Sequence, residues 1–134
     1  MPAQKVVDSW AILAWLQDEP SAALVEQILL HAYAGVFSLL MSWYYAAEVY
    51  YNLAKRGGLE TAEEFLSRLP SLPIRLVLPD EDGIVSAARI KGAHPVAFGD
   101  AFAIALAQSE DASVITGDNE IRRCGVVQVD WIGV

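Results

Sequence analysis

Four acidic residues of this chain stand where carboxylates are costly to keep. They are Asp8 in 6-VVDSWAILAWL-16, Glu48 in 45-YAAEVYY-51, Asp100 in 95-PVAFGDAFAIALAQ-108 and Asp118 in 113-SVITGD-118. An ionised carboxylate taken out of water must be paired, hydrogen-bonded or met by a metal ion. From Ala101 onward the third segment reads as a helix so rich in Ala, Leu, Ile and Phe that it must be buried almost all round, with Asp100 on its first turn. Asp8 and Asp118 each close an apolar run of strand length, and Glu48 sits within a helical run between apolar neighbours. The remaining acids fall mostly in polar clusters such as 80-DED-82, 63-EE-64 and 110-ED-111, which read as solvated helix ends and receive no chemical role.

Four carboxylates drawn to one place would repel one another and raise each other's pKa values. A bound Mg²⁺ or Mn²⁺ relieves that repulsion, because hard divalent cations prefer oxygen ligands. Such an ion can polarise a phosphate oxygen and supply a hydroxide-like nucleophile for in-line attack on a phosphodiester. This chemistry needs neither histidine nor cysteine. The chain has only His31, His94 and Cys124, with no spacing that suggests zinc. A lone cysteine allows no internal disulfide and fits a reducing cytoplasm.

The elements that must position these acids follow from the hydrophobic pattern. A short strand from Gln4 runs into Asp8, and a helix capped by Asp8 or Ser9 follows. Pro20 and Ser21 start a second helix that Gly35 ends. The run 36-VFSLLMS-42 predicts a strand, followed by helices over 43–58 and 59–69. Further strands are predicted over 74–79, 113–118 and 126–132, with a helix from the 80-DED-82 cluster to about Lys91 and a short one over 119–125. Apolar strands alternating with helices predict an α/β fold with a mainly parallel sheet covered on both faces. In such folds ligands sit at the carboxyl ends of the strands, where Asp8 and Asp118 both fall.

A hydrophobic fraction of 54% in 134 residues predicts one globular domain, residues 1–134, with a real core. The longest apolar run is broken by Gly35 and carries Glu48, so no membrane span is expected, nor is a secretion signal. The net charge of −8 makes the chain a poor generic binder of nucleic acid unless a divalent cation offsets it, and equally suits a basic partner.

The segments 6-VVDSWAILAWL-16, 47-AEVYYNLAKRGG-58, 98-FGDAFAIALAQ-108 and 114-VITGDNEIRR-123, in this order and spacing, resemble the PIN domain, most closely the VapC-type toxins of prokaryotic toxin–antitoxin pairs. The resemblance implies a three-layer α/β/α sandwich acting as a Mg²⁺-dependent ribonuclease. It matches the family's four acids to Asp8, Glu48, Asp100 and Asp118, with Ser9 and Thr116 as supporting hydroxyls. On that footing Asp8, Asp100 and Asp118 hold the ion, Mg²⁺ or Mn²⁺, and Glu48 stands nearer the attacking water. The implied partners are an RNA substrate and an antitoxin whose basic segment lies across the cleft. Trp10, beside Asp8, stands where the family often has a small or hydroxyl residue, which bears on substrate choice.

Simpler readings compete. Asp8, Asp100 and Asp118 each precede or open a helix and could serve only as caps. Glu48 has no capping role to play. Ser9 suits a cap and Thr116 a strand, so structure alone accounts for both. The aromatic group Trp43, Tyr44, Tyr45, Tyr50 and Tyr51 reads as core and homodimer interface rather than as a base-stacking surface. Receiver domains and haloacid-dehalogenase phosphatases, which also carry aspartates at strand ends, lack their required residues: no acid pairs with Asp8, no lysine follows Asp118 on its strand, and the first strand gives 8-DSW-10 rather than Asp-x-Asp. A fold of this kind retained as a catalytically weak or RNA-binding module is the alternative outside enzymology.

Overall fold

The first strand of the chain is also the middle one of its sheet. In the computed structural model, which describes residues 3–133, β1 (Ala3–Val7) pairs with β2 (Phe37–Ser42) on one side and β4 (Ser113–Thr116) on the other. β3 (Arg75–Val77) extends the sheet beyond β2, and β5 (Val129–Trp131) extends it beyond β4, giving the order β3-β2-β1-β4-β5. Every pairing is parallel, so the mainly parallel sheet expected is wholly parallel among the described residues.

That order fixes where the helices go. The first crossover is α1 (Ser9–Leu16) with α2 (Ala22–Tyr33), and the second is α3 (Trp43–Gly57) with α4 (Leu59–Arg68) and a 3₁₀ turn at Leu69–Ser71. Both step in the same direction across the sheet, so right-handed connections put them on one face. The third crossover, α5 (Glu81–Ala93) and α6 (Phe98–Ser109), steps the other way, as does α7 (Asn119–Cys124) after β4. They cover the opposite face. The direction reverses between β1 and β4, and a crevice must open there at the carboxyl ends of the two strands.

The core follows from what the central strands carry. Val6, Val7, Leu39, Leu40, Met41, Val114 and Ile115 are buried, as expected for strands covered on both faces. α6 is the most enclosed helix: Ala101, Ala103, Ile104, Ala105 and Ala107 are all buried. Its alanines let the helix lie close to β1, β2 and β4, and this brings its first turn to the crevice.

Several predicted boundaries shift. The strand expected over 74–79 shortens to Arg75–Val77 and that over 126–132 to Val129–Trp131, as edge strands pair on one side only. β4 ends at Thr116, so Asp118 lies two residues past the strand rather than on it. α6 begins at Phe98, not Ala101. Its cap residue is Ala97, whose side chain makes no capping bond, so Asp100 lies inside the first turn and does not cap the helix. Asp8 does cap α1, accepting from Ala11 N, and Asp118 caps α7, accepting from Glu120 N.

The tight seat of α6 carries a cost for any larger residue. Ala103→Leu adds three heavy atoms at a fully buried site and is expected to lose about 1–3 kcal/mol in urea unfolding. Unchanged stability would mean that slack exists between α6 and the sheet.

Candidate active site

The crevice at the switch between β1 and β4 gathers all four acids. Asp8 immediately follows β1 and is 2% exposed. One of its oxygens accepts from Ala11 N at 2.9 Å, and the other accepts from the Thr116 hydroxyl, which closes β4. The same Thr116 oxygen accepts from Asp118 N at 2.8 Å, so one buried hydroxyl ties the ends of β1 and β4 together. Asp100 is 7% exposed, and its Oδ1 accepts from the Tyr45 hydroxyl at 2.6 Å. Glu48 accepts from the Ser9 hydroxyl at 2.7 Å through Oε2. Both supporting hydroxyls expected from the sequence, Ser9 and Thr116, therefore touch a carboxylate of the group.

Tyr45 was expected to serve packing. It is fully buried, but its hydroxyl also fixes Asp100. A helical position among aromatics hides such a role, because nothing in sequence says that the hydroxyl of a core tyrosine meets an acid 55 residues away. Glu120 was likewise given no role. A carboxylate oxygen from each of Asp100, Asp118 and Glu120 lies within 4.8 Å of the other two. The turn of α7 that Asp118 caps brings Glu120 there, a signal readable only as an acid two residues beyond a candidate ligand.

Backbone closeness shapes the site too. A Cβ on Gly99 would come within 2.7 Å of Glu48 Oε1 and 2.9 Å of a Tyr44 ring carbon. Only a residue without a side chain lets α6 approach α3 so closely. Tyr44, Phe102 and Phe98 stack in sequence beside it, with ring centroids 5.4 and 5.3 Å apart.

The electrostatics follow from burial and crowding. Burial pushes the Asp8 carboxyl up to about 7; the Thr116 and Ala11 hydrogen bonds oppose this, and the charges of Asp100 and Asp118 reinforce it. Burial also lifts Asp100 to about 6, against the Tyr45 bond and with help from Asp118, Glu48 and Glu120. Tyr45, desolvated and surrounded by Asp8, Asp100 and Glu48, is held well above its ordinary value and stays a donor. Among the described residues the ion pairs are Lys5–Asp130 and Arg75–Glu110, and neither reaches the group. Asp8 and Asp100 are buried and Glu48 and Asp118 half-buried, and among the described residues no cation pairs with any of them. Several oxygens at close range, with that charge unbalanced, fit a hard divalent cation.

A pH dependence of stability follows for the metal-free protein. Asp8 and Asp100 have folded pKa values of about 7 and about 6 against 3.8 when unfolded. The folded state therefore holds protons that the unfolded chain has released, and these groups lower stability as pH rises from about 4 to about 7. Asp100→Asn keeps an oxygen for Tyr45 and removes the charge. In chelator its stability advantage over the wild type should grow across that window to about 1 kcal/mol or more by pH 8. Thermal melts at pH 5 and pH 8 check this, and an advantage that shrinks with rising pH would contradict it.

Comparison with known proteins agrees with the fold. Residues 5–127 match the family model of the PIN domain. No curated protein sequence matches significantly. Among solved structures, the chain is similar to VapC20 of Mycobacterium tuberculosis, a sarcin–ricin-loop-cleaving toxin, at 17% identity over 95% of this chain and 98% of that one, with a TM-score of 0.74. It is also similar to a chain of DNA-bound VapBC from Salmonella typhimurium, at 16% identity, 96% and 97% coverage and a TM-score of 0.72. A third likeness is to a chain of Rickettsia felis VapBC2 bound to a promoter DNA fragment, at 14% identity, 95% and 97% coverage and a TM-score of 0.71. The matched stretch includes Asp8, Glu48, Asp100 and Asp118, and the chain belongs to the PIN domain family.

Proposed function

We propose that this chain, as one domain over residues 1–134, is a Mg²⁺- or Mn²⁺-dependent endoribonuclease, the toxin of a toxin–antitoxin pair working in the cytoplasm. The observation that carries this reading is the convergence of Asp8, Glu48, Asp100 and Asp118 at the switch between β1 and β4, with no cation paired to them among the described residues. Asp8, Asp100 and Asp118 would hold the ion, Asp8 through the lone pairs that Ala11 and Thr116 leave free, with Glu120 close to Asp100 and Asp118. When bound, the ion supplies charge neutralisation and a water of lowered pKa.

The chain's own residues do the rest. Tyr45, kept protonated, holds Asp100 in one orientation, and Thr116 does the same for Asp8. Ser9 fixes one oxygen of Glu48 and leaves the other free to accept a proton from water attacking a phosphodiester. No titrating histidine or cysteine is required.

The acidic cleft and the likeness to chains of VapBC assemblies support a partner with a basic segment. An Arg or Lys of that segment pairs with the carboxylates in place of the metal, so the partner inhibits by the same charge that binds the ion.

Purified protein with single-stranded RNA and Mn²⁺ tests the reading. Cleavage should stop in EDTA and fall at least about 100-fold in Asp100→Asn, which retains its fold. RNA bound but never cut by the wild type would favour a binding module instead.

We also propose a homodimer. Trp43, Tyr44 and Tyr51 on α3 remain 41%, 43% and 53% exposed, more apolar surface than one helix of a monomer usually leaves in water. Light scattering at micromolar concentration should give twice the chain mass of 14.6 kDa; a monomer would refute it.

A further inference from the structure

The Trp10 side chain has no part in the chemistry above, yet it stands against the site on two sides. Its neighbour Ser9 holds Glu48. Its ring lies on Gly117, the residue between Thr116, which holds Asp8, and Asp118. A Cβ on Gly117 would fall 2.5, 2.6 and 2.6 Å from three carbons of the Trp10 six-membered ring. Near-equal distances to three adjacent ring atoms place Gly117 against the flat of the ring rather than its edge. The indole is braced on backbone, in a fixed pose, and only glycine permits it.

The same ring forms a wall of a cleft of about 480 Å³ at the turn from α1 to α2. Leu13 and Ala14 line it beside the indole, while Gln17, Glu19 and Arg56 supply polar groups. Arg56 donates to Gln17 Oε1 at 3.3 Å, so guanidinium and amide are already oriented toward each other across the cleft. An aromatic wall with donors and an acceptor around it suits a small flat molecule with polar edges, and the volume falls within the range of small-ligand sites.

We propose that this cleft is a nucleobase subsite, in which an unpaired base next to the scissile phosphate stacks on Trp10. This rests on the ribonuclease reading. Continuity favours it: Trp10 is one residue from Ser9 and in contact with Gly117, so the ring links the cleft to the residues that hold Glu48 and flank Asp118. Chemistry favours it too. Stacking on an indole binds any base, while Arg56 and Gln17 can donate to purine acceptors and Glu19 can accept from an exocyclic amine. A basic peptide, the other candidate occupant, would meet the cation of Arg56.

Cleavage of a random-sequence single-stranded RNA pool, with cut ends sequenced, tests the subsite. Wild type should prefer particular bases at one position flanking the cut. Trp10→Leu fills the space without an aromatic face; KM should rise about 10-fold, within the range expected for one stacked base, and the preference should flatten. Trp10→Phe should recover most of both, and the thermal shift on adding Mg²⁺ should stay as in wild type. Removing the base at the preferred position of a defined oligonucleotide should raise KM for wild type by a similar factor and add nothing further in Trp10→Leu. If Trp10→Leu does not fold, the abasic series on wild type decides alone.

Unchanged KM and base preference in Trp10→Leu, or no position at which base loss matters, would overturn the subsite and leave the ribonuclease reading standing. Loss of partner binding in Trp10→Leu with RNA kinetics intact would overturn it in favour of a peptide site. Absence of any cleavage by wild type would remove the ribonuclease reading and the subsite together.

Discussion

Three hydroxyls hold three carboxylates, and the geometry of the site depends on these bonds. Ser9 donates to Glu48, Tyr45 to Asp100 and Thr116 to Asp8. A neutral donor satisfies one lone pair of a buried acid without cancelling its charge. A lysine or arginine in the same place would hold the carboxylate as firmly but would lower its pKa and fill the space a metal needs. The hydroxyls orient the acids without cancelling their charge: burial first, and the neighbouring carboxylates after it, keep Asp8 and Asp100 raised against the hydrogen bonds they accept. The fold bears that repulsion because each donor is itself rooted in a packed element: Thr116 and Tyr45 are fully buried, and Ser9 sits on the first turn of α1.

Much of this was legible in the sequence because the acids interrupt apolar runs. Asp8 and Asp118 stand out at the ends of strands, and Glu48 stands out within a helix where it serves no cap. The alternation of strands and helices was enough to indicate a parallel sheet and its carboxyl edge as the place for a site. What sequence could not supply is distance. Tyr45 and Glu120 each have an ordinary local explanation, as a core aromatic and as a first-turn acid, and only the tertiary fold brings one to Asp100 and the other to Asp118. The competing reading of Asp100 as no more than a cap fails for the same reason. An aspartate before an apolar run caps a helix by local rule, but here Phe98 and Gly99 continue the helix backward, and Asp100 finds its partner on α3 instead.

Close backbone approach is the second device, and it is bought with glycine. Gly99 lets α6 lie against Glu48 and Tyr44, and Gly117 lets the Trp10 ring lie flat on the segment between Thr116 and Asp118. Either substitution by alanine would push side chains that the site uses. The two glycines thus set the walls of the crevice as the hydroxyls set its floor.

The central position of the first strand also governs when the crevice can exist. β1 is made before its partners, and its neighbour β4 and the helix that carries Asp100 follow much later; Val6 pairs with Val114 across 108 residues. Until Thr116 and Asp118 have emerged, Asp8 lacks its hydroxyl partner and the sheet lacks the strand that closes the crevice. Contacts so distant in sequence form late in folding, because the closure entropy of the intervening chain must first be overcome. A nascent chain therefore lacks the assembled carboxylates until β4 and α7 have been made, and the crevice appears in one step when β4 pairs with β1.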